Sequence, residues 1–215
     1  MADVALELDA IMDGIRAALV SKHAAREQAL TLSRAAIRNS ANAIRAVHRN
    51  EHERAAELIA GAGEKLGEVG ILLSGQPDIY YAGFVADAQK EFAEASLTLA
   101  LVRRLPLPCP DDLQIGQAPY LNGLGEAVGE LRRYVLDVLR SGDIERCEDY
   151  LHSMDEIYGA LVTVDYPDAI TGGLRRTTDV ARGILEKTRG DLTLAAQQYS
   201  LERELRAFKA SLAQP

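Results

Sequence analysis

Tyr120-Leu-Asn-Gly-Leu-Gly-Glu-Ala-Val-Gly-Glu-Leu-Arg-Arg-Tyr-Val-Leu-Asp-Val-Leu139 carries the most legible pattern in the chain. Leu121, Leu124, Val128, Leu131, Val135 and Val138 recur at alternating steps of three and four. That spacing stacks them on one face of a helix, which must bury them against the core or a partner helix. At about 100° per residue, Glu126, Glu130 and Arg133 fall on the opposite face.

Working outward, breakers are scarce and widely spaced. A first helix is expected over about Ala2 to Asn50, which holds one Gly and no Pro. Its apolar residues Leu6, Ile11, Ile15, Leu19, Leu30, Ile37, Ile44 and Val47 follow helical spacing with some drift. A second helix, about Glu51 to Leu73, stops at Ser74–Asp78, and a third spans about Ile79 to Arg104, with Phe84, Ala88, Phe92, Ala95, Leu99 and Val102 on one stripe. Three closely spaced prolines make Leu105–Pro119 irregular. After the fourth helix, which the quoted stretch forms, Asp143 caps a fifth to about Thr163. Asp165–Asp168 breaks the chain. A sixth helix covers about Ala169 to Arg189 with Gly190 as its C′ residue, and Asp191 caps a seventh, about Leu192 to Leu212. The expected fold is all-α, about seven helices in a single domain over 1–215.

Composition agrees. The 215 residues are 47% hydrophobic and 5% aromatic, without Trp, which disfavours a sandwich or barrel. Two cysteines, Cys109 and Cys147, are too few for a disulfide scaffold. No apolar run reaches membrane-span length, and the opening Met1–Asp9 is acidic rather than signal-like, so a cytoplasmic protein is expected. A net charge of −8 counts against a simple clamp on duplex DNA but leaves room for a local basic surface.

Two acidic pairs stand out. Glu126 and Glu130, at i and i+4, place their Cβ atoms about 5–6 Å apart. Glu91 and Glu94, at i and i+3, sit beside the apolar stripe of the third helix, with Asp87 one turn earlier. Each set reads either as a solvated acidic face or as half of an oxygen cage. Such a cage suits Mg²⁺ or Mn²⁺. Arg34, Arg38, Arg45 and Arg49 repeat at four, seven and four residues, a stripe of about 22 Å at the helical rise. It suits either phosphate binding or ion pairing within a bundle. His48-Arg-Asn-Glu-His52 matches the letters of an inverted zinc-peptidase motif, but it falls at a helix junction without a third ligand and reads as polar junction residues. Ferritin-like Glu-x-x-His pairs, phosphate loops and nucleophile elbows are absent.

Four stretches resemble the translin family, and within it the Trax branch: Leu32–Ser40, Glu91–Ala95, Tyr120–Arg133 followed by Ser141–Asp143, and Gly172–Gly190. The resemblance implies a seven-helix fold assembled into hollow octamers that bind single-stranded RNA or DNA. For the Trax branch it implies a metal-dependent endoribonuclease built from acidic residues. Glu91 and Glu94 fall on the acidic positions of the third helix and Glu130 on that of the fourth. Glu126 stands where the branch usually has aspartate, keeping charge and ligand type. The compact Pro-rich connection resembles short archaeal homologues acting as homo-oligomers. Catalytic and metal roles are therefore expected for Glu91, Glu94, Glu126 and Glu130 with Mg²⁺ or Mn²⁺, and nucleic-acid binding for the four arginines. The alternative is a non-catalytic, translin-like binder of single strands.

Overall fold

The computed structural model describes residues 4–212. Along them run α1 (Val4–His48), α2 (His52–Leu72), α3 (Pro77–Tyr80), α4 (Phe84–Arg103), α5 (Pro110–Leu113), α6 (Gln117–Leu139), α7 (Ile144–Val162), α8 (Asp168–Thr171) and α9 (Leu174–Leu212), with no strand among the described residues. The expected start at Ala2 lies outside them.

α4 is the axis of the bundle. Ala88, Phe92, Ala93, Ala95, Leu97, Leu99 and Val102 are buried around its whole circumference, as an enclosed helix requires. α1 and α2 pack on one side of it and α6 on the other; α7 and α9 cover the far face of α6. Leu124, Val128, Leu131 and Val135 are buried in the main core, while Leu121 and Val138 are partly covered at its ends. The seam read from the sequence is the seam used.

α1 departs from expectation. Leu6, Ile11, Ile15 and Leu19 are all more than two-fifths exposed among the described residues. Its buried stripe lies further along and consists of Ala29, Ser33, Ala36, Ser40, Ala43 and Val47. Small residues at steps of four and three let α1 lie close against its neighbours.

Three boundaries are corrected. The expected third helix is split: α3 is one turn, and α4 restarts after Gly83, whose φ of +100° only glycine adopts without strain. The Pro-rich segment holds the single turn α5, because Pro110 stands where a helix has no use for an N–H, and Asp112 accepts a hydrogen bond from the Cys109 backbone at 2.8 Å. The expected sixth helix loses its first turn, which is set apart as α8 by Gly172 and Gly173 at φ of +62° and +84°, and from Leu174 on the expected sixth and seventh helices are one. Ala181, Leu185, Thr188 and Leu192 form an unbroken buried seam through Gly190 and Asp191. Asp191 caps nothing; its carboxylate takes the Arg132 guanidinium at 2.7 Å. The Asp143 cap stands as expected, accepting from the Arg146 backbone N–H at 3.1 Å.

Candidate metal centre

The acidic pairs meet because α6 crosses α4 at a glycine. A Cβ on Gly123 would lie 2.7 Å from the Ala93 Cβ, 2.7 Å from the Lys90 carbonyl oxygen and 2.9 Å from the Glu94 nitrogen. Only a bare backbone fits there, and Glu126 follows one turn later. Gly125 makes a second close approach, where a Cβ would meet the Thr177 methyl of α9 at 2.5 Å. Asn122 pins the same turn, donating to the Thr171 carbonyl at 2.8 Å and accepting from the Thr177 hydroxyl at 2.7 Å.

Glu91, Glu94 and Glu126 each bring a carboxylate oxygen within 4.8 Å of the others, the separation over which one ion can be shared. Lys90 lies among them, 2.7 Å from Glu126 and 3.6 Å from Glu91. Burial opposes its charge, but Glu126, Glu91 and Glu94 outweigh that and hold its pKa above the ordinary lysine value. Glu94 is the residue under electrostatic pressure. It is 9% exposed. Burial first, then the charges of Glu126, Glu91 and Glu130, push its carboxyl up to about 8, with Lys90 only partly offsetting them. Even with a lysine present, the cluster holds one negative charge more than it can carry and takes up either a proton or a cation. An all-oxygen donor set of this charge fits Mg²⁺ or Mn²⁺.

A pH dependence follows. Between the ordinary carboxyl value and about 8 the unfolded chain gives up the Glu94 proton while the folded chain keeps it. The folded state then binds more protons, so stability falls as pH rises through that interval. In EDTA, melting temperature is expected to decline from about pH 5 to pH 8, and Glu94→Gln to flatten the decline. A wild-type melting temperature that rises over this range contradicts the assignment.

Glu130, expected alongside the other three carboxylates, lies outside their cluster. Its Oε2 is 2.5 Å from Nε2 of His48, 82 positions away in sequence. A cleft of about 870 Å³ opens over the centre, lined by Asp87, Lys90, Glu94, Glu126, Arg176 and Thr177 among others. Arg34, Arg38 and Arg45 are exposed on α1, and Arg49 is exposed just past its end. None has an ion-pair partner among the described residues, and Arg45 donates only to Asn42 Oδ1 at 2.7 Å. Lys90 and His48 were not singled out as site residues from the sequence. Lys90 had a signal, standing next to Glu91 and one turn before Glu94. His48 had none for this role, since its partner is on another helix. His48 and His52 end one helix and begin the next, and neither joins a metal-binding group among the described residues.

No protein-family model matches the chain. It is 32% identical over 199 residues, 91% of its length and 87% of the relative's, to an uncharacterized protein of Methanocaldococcus jannaschii. Among solved structures it is similar to AfC3PO in a complex with duplex RNA, with 33% identity, a TM-score of 0.81, and coverage of 87% of this chain and 97% of that one. AfC3PO alone superposes with a TM-score of 0.80 over the same shares at 33% identity. NeC3PO in its apo form, at 18% identity and TM-score 0.78 over 86% of this chain and 96% of that one, shares the fold.

Proposed function

The chain belongs to the translin/C3PO family, and from that premise we propose that it is a metal-dependent endoribonuclease acting on single-stranded RNA. The observation that carries this reading is the Glu91–Glu94–Glu126 cluster, three carboxylates within 4.8 Å of one another beside the close crossing at Gly123. RNA as the ligand is supported by the likeness to AfC3PO, which was solved with duplex RNA.

Glu91, Glu94 and Glu126 would hold Mg²⁺ or Mn²⁺. Bound there, the ion supplies Lewis-acid stabilisation of the charge that develops on the scissile phosphate. Lys90 orients Glu126 through their 2.7 Å pair and adds a cation to the cleft. Arg176, on the cleft wall, meets the phosphate backbone. Glu130, held apart from the cluster, is the carboxylate left to accept the proton of the attacking water.

Labelled single-stranded RNA, duplex RNA and single-stranded DNA incubated with Mg²⁺, Mn²⁺ or EDTA test the reading. Cleavage of single-stranded RNA with either metal and none in EDTA is expected. A strand that is shifted but intact under every condition replaces the nuclease with a binding protein.

The unpaired arginines of α1 are assigned to binding rather than chemistry. Arg38→Glu combined with Arg45→Glu should flatten the dependence of log affinity on log salt by about 1.4, from about 0.7 per lost phosphate contact on a single strand. An unchanged slope moves the RNA path elsewhere.

The assembly proposed is a homo-octamer. Leu6 at 72% and Ile11 at 58% exposure on α1, with Leu201 at 61% and Leu205 at 49% on α9, are more apolar surface than a monomer leaves uncovered. Light scattering should give about eight times 23.3 kDa; a monomer at micromolar concentration contradicts it.

A further inference from the structure

His48 closes α1 with its side chain only 4% exposed, and its Nε2 lies 2.5 Å from Oε2 of Glu130. The other ring nitrogen, Nδ1, is buried without a hydrogen-bond partner. That asymmetry decides the tautomer. A proton on Nδ1 would bury an unsatisfied donor and turn the Nε2 lone pair toward a carboxylate oxygen. A proton on Nε2 donates to Glu130 and leaves only an acceptor unpaired, the cheaper defect.

The ring is held from behind. Two residues past the end of α1, Asn50 has a φ of +60° and makes the left-handed turn that stops the helix. Asn50 Oδ1 accepts a hydrogen bond from the Tyr134 hydroxyl at 3.2 Å, one turn beyond Glu130 on α6. Tyr134 in turn accepts from Arg146 at 3.0 Å, and its ring stands 6.4 Å from that of His48. The junction that carries His48 is thus tied to the helix that carries Glu130. With Oε2 occupied, Glu130 has one oxygen left, and its charge is already felt at Glu94.

We propose that His48 is a positioning residue: as the Nε2–H tautomer it fixes the rotamer of Glu130 so that the remaining oxygen faces the water that attacks RNA. This rests on the nuclease reading above and adds to it a residue that never touches substrate. It also gives the first letter of the His48–His52 motif a task unrelated to zinc.

The test uses the full chain and has two arms. In metal-free protein, nitrogen-15 spectra should report His48 as a single Nε2–H tautomer, and Glu130→Leu should abolish that preference. In cleavage assays with Mn²⁺, His48→Ala should lower kcat by about 10- to 100-fold with KM unchanged, the usual cost of losing an orienting partner. His48→Gln, whose amide can donate from a similar position, should recover activity to within about tenfold of wild type. His48→Ala added to Glu130→Gln should cost nothing further. Wild-type rates in His48→Ala, or equal losses in the Ala and Gln variants, overturn the proposal while leaving the nuclease standing. If wild type cuts no RNA, the nuclease reading falls, and the tautomer arm alone decides whether His48 holds Glu130. An Nδ1–H tautomer overturns the proposal in either case.

Discussion

Glu126→Gln is expected to reduce RNA cleavage in Mg²⁺ by about 10³-fold or more, which is about 4 kcal/mol of transition-state stabilisation. The substitution keeps size and polarity but removes one of the three charges that would hold the ion. RNA affinity should change by no more than about twofold, since phosphate contacts come from the arginines. Stability should move little: Lys90 loses its partner at 2.7 Å, but both side chains are about one-quarter to one-third exposed, where such pairs contribute about 1 kcal/mol or less. Glu126→Asp keeps the charge and one fewer methylene, and should retain cleavage. Single-turnover rates beside filter-binding affinities check both statements. Full metal-dependent cleavage by Glu126→Gln removes this residue from the centre.

Gly123→Ala should be the most damaging small substitution in the chain. Two of the atoms that the new methyl would meet, at 2.7 and 2.9 Å, are α4 backbone and cannot turn aside as a side chain would. Overpacking of this kind costs about 1–3 kcal/mol, or a fall in melting temperature of about 2–12 °C in a domain of this size. Activity should fall further than stability, because prising α6 from α4 separates Glu126 from Glu91 and Glu94. A misplacement of about 1 Å at such a centre costs on the order of 10²-fold. Gly129→Ala on the same helix is the control. Its Cβ would have ordinary contact with Ile184 at 3.7 Å, so the change should be neutral or stabilise by up to about 1 kcal/mol. Equal effects of the two substitutions, measured by thermal melts and cleavage rates, contradict the close crossing as the device that builds the site.

What the sequence made legible depended on whether one segment carried its own signal. The α6 seam did, because large apolar residues at steps of three and four have one physical reading. The buried stripe of α1 did not: Ala29, Ser33, Ala36, Ser40 and Ala43 are too small or too polar to register as hydrophobic periodicity. The exposed Leu6–Leu19 stripe did register, and among the described residues it is left exposed. Gly190-Asp191 read as a stop and a start because an aspartate that caps a helix and one that pairs with arginine look alike in sequence. Only the position of Arg132 on α6 separates them.

The same division holds at the centre. Glu91 with Glu94, and Glu126 with Glu130, were visible as pairs through helical spacing alone. That the first pair meets Glu126 and not Glu130 depends on where α4 and α6 cross, which Gly123 sets. Lys90 was visible as a neighbour but not as a partner of Glu126. The bond between His48 and Glu130 joins the end of one helix to the middle of another, and no local pattern announces it.

Diffraction from crystals soaked in Mn²⁺, recorded at the manganese absorption edge, tests the central claim most directly. The account predicts one anomalous peak bounded by the carboxylates of Glu91, Glu94 and Glu126, and its loss from crystals of Glu126→Gln. Protein that cuts RNA in Mn²⁺ yet shows no peak there, or shows it at another site, contradicts the assignment of these three glutamates as the metal centre.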